Sequence, residues 1–152
     1  KRPSMDIFLF FLFLAATIGA GATGALFPTG SWYKGLNKPT WVPPNWLFPV
    51  AWTSIYLLIA FAGARVAGLE GNAYAMAFWA IQIVLNALWT PVFFGAFDLA
   101  GAFTIIVILW SSITAFIVVS FRIDKISGYL FMPYWAWVSF ATVLNYAYIQ
   151  VN

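Results

Sequence analysis

The sequence predicts an all-α, polytopic membrane protein, a bundle of five transmembrane helices with a Trp/Pro-rich first loop as its lid. Of the 152 residues, 64% are hydrophobic and only 7% are charged, a balance foreign to soluble domains. The apolar runs reach about 20 residues, enough to cross a bilayer as helices, and they lack the alternation of membrane β-strands. Residues 28–52 differ, since they hold four of the nine tryptophans and five of the eight prolines.

Five helices are predicted within one domain that covers residues 1–152, at about 6–27, 46–66, 74–96, 99–121 and 127–149. Three of the connections are very short, so consecutive helices should be antiparallel neighbours. Lys1 and Arg2 before the first run resemble the start of a signal peptide. The run continues to about Phe27, however, which favours a mature span over a cleaved leader.

The first helix is followed by residues 28–52, which we call the Trp/Pro segment. Indole rings carry a polar N–H on an apolar body and favour the boundary between hydrocarbon and water. A long, irregular and aromatic connection of this kind predicts a cap over a cavity inside the bundle.

An odd number of spans places the termini on opposite sides of the membrane. The basic residues then divide unequally, with Lys1, Arg2, Arg65, Arg122 and Lys125 on the N-terminal side and Lys34 and Lys38 on the other. The positive-inside rule therefore places the N-terminus in the cytoplasm and the Trp/Pro segment outside.

Pro49, Pro91 and Pro133 fall inside predicted helices. Each proline removes a backbone hydrogen bond and tends to kink its helix. The kinks have two interpretations, either ordinary packing bends or the curved wall of a bowl-shaped interior.

The third predicted helix has two unlike faces when residues are spaced at about 100°. One face is polar and aromatic and should turn inward, because amides that face lipid are costly; it holds Gln82, Asn86, Trp89 and Phe93. The opposite face is small and permits close helix packing, either within the bundle or against a second subunit. This candidate dimer interface consists of Ala73, Ala77, Ala80, Val84 and Ala87.

The fifth predicted helix carries a second patterned face, formed by Tyr134, Trp137, Ala141, Leu144, Asn145 and Tyr148. One interpretation is core packing with a single buried amide. The other is a cavity wall, in which rings stack on a ligand, Ala141 leaves room and Asn145 orients the guest.

Several of these groups lie in the same half of the membrane. The early part of the second predicted helix and the late parts of the first, third and fifth are all near the Trp/Pro segment. They contribute Trp52, Tyr56, Asn86, Trp89, Asn145, Tyr148, Ala22, Thr23 and Leu26. This placement predicts one pocket, in one leaflet, beneath the lid.

Several kinds of chemistry are disfavoured. The chain has no cysteine and no histidine, which removes the usual metal ligands, the thiolate nucleophile and the usual general base. No Asp, Glu, Lys or Arg lies in the middle of a predicted span, whereas ion-coupled transporters usually need such a residue there. The basic residues are scattered, so nucleic-acid binding is not expected.

Three stretches carry aromatic and proline motifs at distinctive spacing: Trp32-Tyr33-x-x-Leu36-x-Lys38-Pro39-x-Trp41-x-Pro43-Pro44-x-Trp46-x-Phe48-Pro49-x-x-Trp52-x-x-x-Tyr56, Leu85-Asn86-x-x-Trp89-x-Pro91-x-Phe93-Phe94-Gly95, and Pro133-Tyr134-x-x-Trp137-x-x-Phe140-Ala141-Thr142-x-Leu144-Asn145-Tyr146. In order and spacing they resemble the translocator protein family, also called tryptophan-rich sensory protein or peripheral-type benzodiazepine receptor. The resemblance covers nearly the whole chain and is closer to the bacterial branch.

The resemblance implies an integral five-helix protein of a bacterial cell membrane, usually a homodimer with the third helix at the subunit contact. It implies binding of tetrapyrroles such as protoporphyrin IX and haem, of sterols, and of isoquinoline or benzodiazepine ligands. No cofactor is required, since porphyrin or haem is a ligand. Bacterial members are linked to stress and tetrapyrrole signalling.

The same resemblance assigns residues to a pocket under the first loop: Trp52, Asn86, Trp89, Trp137, Ala141 and Leu144, with Trp32 and Trp41 from the loop. The tryptophans that match Trp32 and Trp137 are implicated in light-dependent breakdown of protoporphyrin, which makes these two the candidate catalytic residues. One departure concerns sterols. Leu144 and Tyr146 are present, but no basic residue follows them, which argues against high-affinity cholesterol binding.

We therefore hypothesise a membrane receptor or carrier for planar apolar ligands, with Lys34 and Lys38 positioned to pair with porphyrin propionates. The alternatives are a light-dependent porphyrin-degrading activity and a regulatory membrane scaffold that acts through partner proteins. The predicted ligand-binding residues are Ala22, Trp32, Trp41, Trp52, Tyr56, Asn86, Trp89, Tyr134, Trp137, Ala141, Leu144 and Asn145.

Overall fold

The computed structural model describes residues 6–22 and 31–152, and these residues are predominantly helical. The helices are α1 (Ile7–Gly21), α2 (Ser31–Lys34), α3 (Leu47–Ala67), α4 (Ala73–Thr90), α5 (Leu99–Ile123), α6 (Lys125–Leu130) and α7 (Met132–Val151). A π-helical turn, Pro91–Gly95, directly continues α4.

The second, third and fourth predicted helices correspond to α3, to α4 with its π-helical turn, and to α5. The fifth is interrupted at Phe131, which separates α6 from α7. The last part of the first predicted helix, from residue 23 to residue 27, lies outside the described residues, as do Thr23 and Leu26.

Three of the described helices are long and apolar enough to cross a membrane: α3, residues 73–95 and α5. The shorter helix α1 is also apolar. These helices expose large apolar side chains such as Ile7, Leu57 and Val107 at the outer surface of the bundle. An outer surface of this kind suits hydrocarbon rather than water, and the protein is an all-helical integral membrane protein.

The three prolines each lie where a helix begins or changes its geometry. Pro49 is the third residue of α3 and Pro133 the second of α7, so both lie in first turns, where a backbone N–H has no intrahelical acceptor. The expected kink is wrong at Pro49, which has no helical turn before it, whereas at Pro133 the fifth predicted helix is interrupted at Phe131, two residues before the proline. Pro91 opens the π-helical turn, in which the Ala96 N–H donates to the Pro91 carbonyl at 2.9 Å.

Close approach of backbones brings α1, α3 and α4 together. A Cβ at Gly63 of α3 would lie 2.7 Å from the Trp79 indole nitrogen and 2.8 Å from the Phe13 ring, so a side chain there would collide. The Trp79 N–H donates to the Ile59 carbonyl at 3.0 Å. Glycine therefore lets the rings of two neighbouring helices close over α3.

A reciprocal set of hydrogen bonds joins α5 to α7. The Trp110 N–H donates to the Ser139 hydroxyl at 2.7 Å, and the Trp135 N–H donates to the Thr114 hydroxyl at 3.0 Å. The Thr114 hydroxyl in turn donates to the Trp110 carbonyl within α5, and the Ser139 hydroxyl donates to the Trp135 carbonyl within α7. Because apolar contact gives little driving force between helices in lipid, such directed bonds help to define the position of α7.

An ion pair stabilises the end of the bundle that lies away from the Trp/Pro segment. Arg65 of α3 donates to both carboxylate oxygens of Asp124, at 2.8 and 3.1 Å, and the Ser127 hydroxyl donates to the same carboxylate at 2.6 Å. Burial raises the pKa of Asp124, but the hydrogen bonds from Arg65 and Ser127 outweigh it and hold that pKa below its usual range.

Asp124→Asn should lower the free energy of unfolding by about 2 kcal/mol, because charge-assisted hydrogen bonds from Arg65 are lost in a largely buried place. The depressed pKa means that the carboxylate stabilises the protein above the unfolded-state value of about 3.9, and that this contribution disappears as pH falls through the native pKa. Thermal unfolding in detergent should therefore differ between parent and variant at pH 7, and the difference should shrink progressively as pH falls below about 3.9.

The matched control is Glu70→Gln, which neutralises an exposed carboxylate in the α3–α4 connection. Its melting temperature should equal that of the parent. An equal loss of stability in both variants would contradict a specific role for Asp124.

Candidate ligand-binding site

A cavity of about 470 Å³ lies between the Trp/Pro segment and the ends of α3, α4 and α7. Its outer part is formed by Tyr33, Lys34, Lys38 and Asn45 of the Trp/Pro segment. Its inner walls are formed by Phe48, Trp52, Trp89, Thr90, Phe93, Phe94, Ile106, Trp137, Ala141, Leu144, Asn145 and Tyr148.

The structure brings half of the predicted ligand-binding residues together around this cavity: Trp52, Trp89, Trp137, Ala141, Leu144 and Asn145. Their rings form a corner rather than a parallel stack. Trp52 and Trp137 stand at 88° with centroids 6.4 Å apart, and Phe48 meets Trp137 edge to face at 5.6 Å. A flat guest would therefore meet one ring by its face and another by its edge.

Asn86 and Tyr134 lie behind the cavity wall, not in it. The Tyr134 side chain is fully buried; its hydroxyl donates to Gln82 at 2.8 Å and accepts from the Asn86 amide at 2.9 Å. Placing these two residues in the wall was therefore incorrect for this structure. An inward amide satisfied by a tyrosine has the same sequence pattern as one that awaits a ligand, so periodicity alone does not separate the two.

Asn145 borders the cavity with its amide already engaged. Its oxygen accepts from the Trp89 N–H at 3.1 Å, and its nitrogen donates to the Leu99 carbonyl at 3.1 Å. The side chain thereby holds Trp89 in the wall and joins α4, α5 and α7. Its structural effect is to position a ring, whereas the sequence suggested a direct hydrogen bond to a guest.

Tyr56 and Ala22 are not among the lining residues. The Tyr56 ring lies behind Trp52 at 5.5 Å, and a Cβ at Gly21 of α1 would reach within 2.5 Å of it. Ala22 is exposed directly after α1. Tyr56 therefore backs the cavity wall against α1.

The two predicted loop tryptophans pack outside the cavity. Trp32 contacts the rings of Phe93 and Phe97 at 5.8 and 5.0 Å, and half-exposed Trp41 meets Phe140 at 5.7 Å. Both rings anchor the segment on the bundle. The candidate catalytic pair is thus split, since Trp137 borders the cavity and Trp32 does not.

Sequence reasoning missed Ile106, Thr90 and Asn45 as lining residues. Ile106 belongs to α5, whose sequence shows no polar and aromatic face of the kind that marks a cavity wall in the third and fifth predicted helices. Phe48 and Phe94 also line the cavity and belong to the family motifs. Their positions beside Pro49 and after Pro91 were the sequence signal that could have identified them as lining residues.

Hydrogen bonds fasten the Trp/Pro segment to the end of α7, and we call this set the latch. The Asn37 N–H donates to the Asn152 side-chain oxygen at 3.0 Å, and the Asn152 amide donates back to the Asn37 carbonyl at 2.9 Å. The Asn37 amide also donates to the Val151 carbonyl at 3.1 Å, and the hydroxyls of Tyr33 and Tyr148 lie 2.9 Å apart. The latch closes the segment over the cavity.

The small face of α4 points away from the rest of the described chain. Ala73, Ala77 and Ala80 are exposed, Val84 is 56% exposed and Ala87 is half-buried. Gln82, Asn86 and Phe93 on the opposite face are buried, as the periodicity predicted. The outward surface is available to lipid or to a second subunit.

Metal chemistry has no support in the described ranges 6–22 and 31–152, where no group of three metal-ligating carboxylates, histidines or cysteines occurs. The cavity offers aromatic faces, an alanine gap and two ammonium groups at its mouth. This set of groups can bind a guest by stacking and charge.

Together the fold and the cavity define a helical membrane protein with an aromatic cavity closed by a latched loop. Residues 10–151 match the TspO/MBR family, and the chain belongs to that family.

Bacterial relatives are similar over almost their whole length. The chain is 47% identical to Protein CrtK of Rhodobacter capsulatus, over 97% of this chain and 95% of that protein. It is 46% identical to the tryptophan-rich sensory protein of Cereibacter sphaeroides, over 98% of this chain and 94% of that protein. The human translocator protein is 30% identical over 80% of this chain and 75% of its own length.

Asn152→Ala should loosen the latch by removing both side-chain bonds to Asn37. Exposed hydrogen bonds contribute about 0.5–1.5 kcal/mol each, so opening of the segment should rise about tenfold. Limited trypsin digestion reports this opening through cleavage after Lys34, since Pro39 protects the bond after Lys38.

Gln150→Ala, a change at an exposed residue in the same turn of α7, is the control and should leave the cleavage rate unchanged. Equal rates in the parent and in Asn152→Ala would rule out the latch as the restraint on the segment.

Proposed function

We propose that this protein is a membrane receptor or carrier for planar apolar ligands, with tetrapyrroles such as protoporphyrin IX and haem as the leading class. The observation that carries the proposal is the ring-lined cavity of about 470 Å³ beneath the latched Trp/Pro segment. Its volume falls within the range of about 300–1,000 Å³ found for small-molecule pockets. In a bacterial cell, such a receptor would report tetrapyrrole levels or stress.

The shape of the cavity favours a flat guest. Trp52 and Trp137 meet at a right angle, while Trp89 and Phe93 lie tilted by 33° at 4.8 Å. Ala141 faces the same space with a single methyl group. Large rings with one small gap between them suit an extended π-system that enters by its edge.

Sterols and isoquinoline or benzodiazepine ligands are the second ligand class. They suit the apolar walls, but no basic residue follows Tyr146 near the end of α7, and Asn152 is engaged in the latch. The separation of Trp32 from the cavity also favours binding over light-dependent chemistry at the tryptophan pair.

We further propose that α1 and α6–α7 cross the bilayer together with the three longer apolar helices, which gives five crossings. The 20 residues of α7 span about 30 Å, the thickness of the hydrocarbon core. Arg65, Arg122 and Lys125 lie near one end of the bundle and Lys34 and Lys38 at the other. The positive-inside rule then supports a cytoplasmic N-terminus in a bacterial membrane.

Ala141→Phe should weaken protoporphyrin IX binding at least tenfold, because the larger ring fills the gap between Trp137 and Leu144. Quenching of intrinsic tryptophan fluorescence during titration of the purified protein measures the affinity. Cholesterol titrated in parallel ranks the two ligand classes.

Val143→Phe is the matched control, since Val143 lies on the outer side of α7 and is 58% exposed. It should bind protoporphyrin IX as the parent does. Parent-like binding by Ala141→Phe would remove the cavity as the ligand site.

A homodimer through α4 is the proposed assembly. It is supported by the exposed row of Ala73, Ala77 and Ala80, because small residues let helix backbones approach closely in lipid. Ala80→Trp should therefore lower the dimer fraction several-fold, measured by sedimentation in detergent or by cross-linking in vesicles. Ala136→Trp, at an exposed alanine of α7, should leave it unchanged. A dimer unaffected by Ala80→Trp would exclude this face.

A further inference from the structure

The mouth of the cavity is basic although its walls are apolar. Lys34 ends α2 and Lys38 follows four residues later, and both line the cavity. None of the lining residues is acidic. Within the described residues, neither ammonium group lies in an ion pair, since the carboxylate paired with a basic residue there is Asp124 at the opposite end.

Lys38 is held at the mouth by a tyrosine. Its ammonium group lies 4.7 Å from the centroid of the Tyr33 ring and 3.4 Å from the Tyr33 carbonyl oxygen. Tyr33 is in turn held by the ring of Phe94 at 5.2 Å and by the hydroxyl of Tyr148 at 2.9 Å. The cation is therefore placed by the closed lid, with its charge free to meet an anion.

An ammonium group at the edge of an apolar cavity discriminates between guests. A carboxylate on the rim of the guest gains a charge-assisted hydrogen bond there, whereas a neutral guest must leave the lysine to water. Because the two lysines sit on the same side of the cavity, the guest should be apolar in its body and acidic along one edge.

We propose that Lys34 and Lys38 form a carboxylate-binding rim that selects flat apolar acids over neutral molecules of the same shape. This inference rests on the proposed function, since it assumes that the guest occupies the cavity. It assigns a specificity role to the Trp/Pro segment and ranks amphipathic acids above neutral guests.

The test compares protoporphyrin IX, which carries two carboxylates, with its neutral dimethyl ester, which has the same ring. Affinities are measured by tryptophan quenching in a non-ionic detergent, corrected for partitioning into empty micelles. The parent should bind the acid about five- to tenfold more tightly than the ester, as expected for two partly exposed ion pairs. Raising the salt concentration should reduce the affinity for the acid and leave that for the ester unchanged.

The double variant Lys34→Gln/Lys38→Gln should bind acid and ester equally, with the affinity for the ester as in the parent. Lys34→Arg/Lys38→Arg keeps both charges and should keep the preference for the acid. Lys125→Gln removes an exposed charge at the other end of the bundle and is the matched control. A thermal melt of each variant checks that the fold is retained.

The outcomes separate the two proposals. Equal and tight binding of acid and ester by the parent would overturn the rim and leave the cavity as the ligand site. Equal losses for acid and ester in the double variant would also overturn it, since the lysines would then only support the lid. Binding of neither compound by the parent would overturn the proposed function itself.

Discussion

The hydrogen bonds of α7 are the constraint on which the rest of the structure depends. In hydrocarbon, apolar side chains gain little by leaving lipid for a neighbouring helix, so directed polar contacts and close packing decide how helices sit. Three neighbours of the cavity, α4, α5 and the Trp/Pro segment, are joined to α7 in this way, whereas α3 meets α7 through the rings of Trp52 and Trp137. The joining residues are Tyr134 to α4, Trp135 and Ser139 to α5, Asn145 to both, and Tyr148 and Asn152 to the Trp/Pro segment.

This arrangement explains how a cavity persists inside a small bundle. The buried bonds of Tyr134 and the α5–α7 tryptophan bonds close the deeper part of the protein, where Phe116 and Phe131 also stack at 4.0 Å. Nearer the lid, the rings of Trp52, Trp89 and Trp137 are held by other protein groups and leave space between them. Rigid neighbours prevent the rings from collapsing into that space.

Much of the fold followed from periodicity and length. Apolar runs located α3, α4 and α5, and the inward face of α4 was readable because polar residues recur at helical spacing. The expectation of a kink failed at Pro49, which lies in the first turn of α3 with no preceding turn to bend, whereas at Pro133 it corresponds to the interruption at Phe131. The cavity-lining role of Ile106 was not predicted, since α5 has no patterned polar and aromatic face that would indicate which of its sides borders a cavity.

The sequence by itself determined the class of protein, the location of the aromatic lid and the half of the bundle in which a pocket forms. Those properties depend on hydropathy, helix length and local spacing, which are contained in short stretches of chain. Only the tertiary structure decided that Asn86 and Tyr134 satisfy each other behind the wall, that Trp32 packs outside it, and that Asn37 meets Asn152. Those pairings join residues far apart in the chain. They depend on the rotation of each helix about its own axis, and that rotation is determined by all the neighbouring helices together.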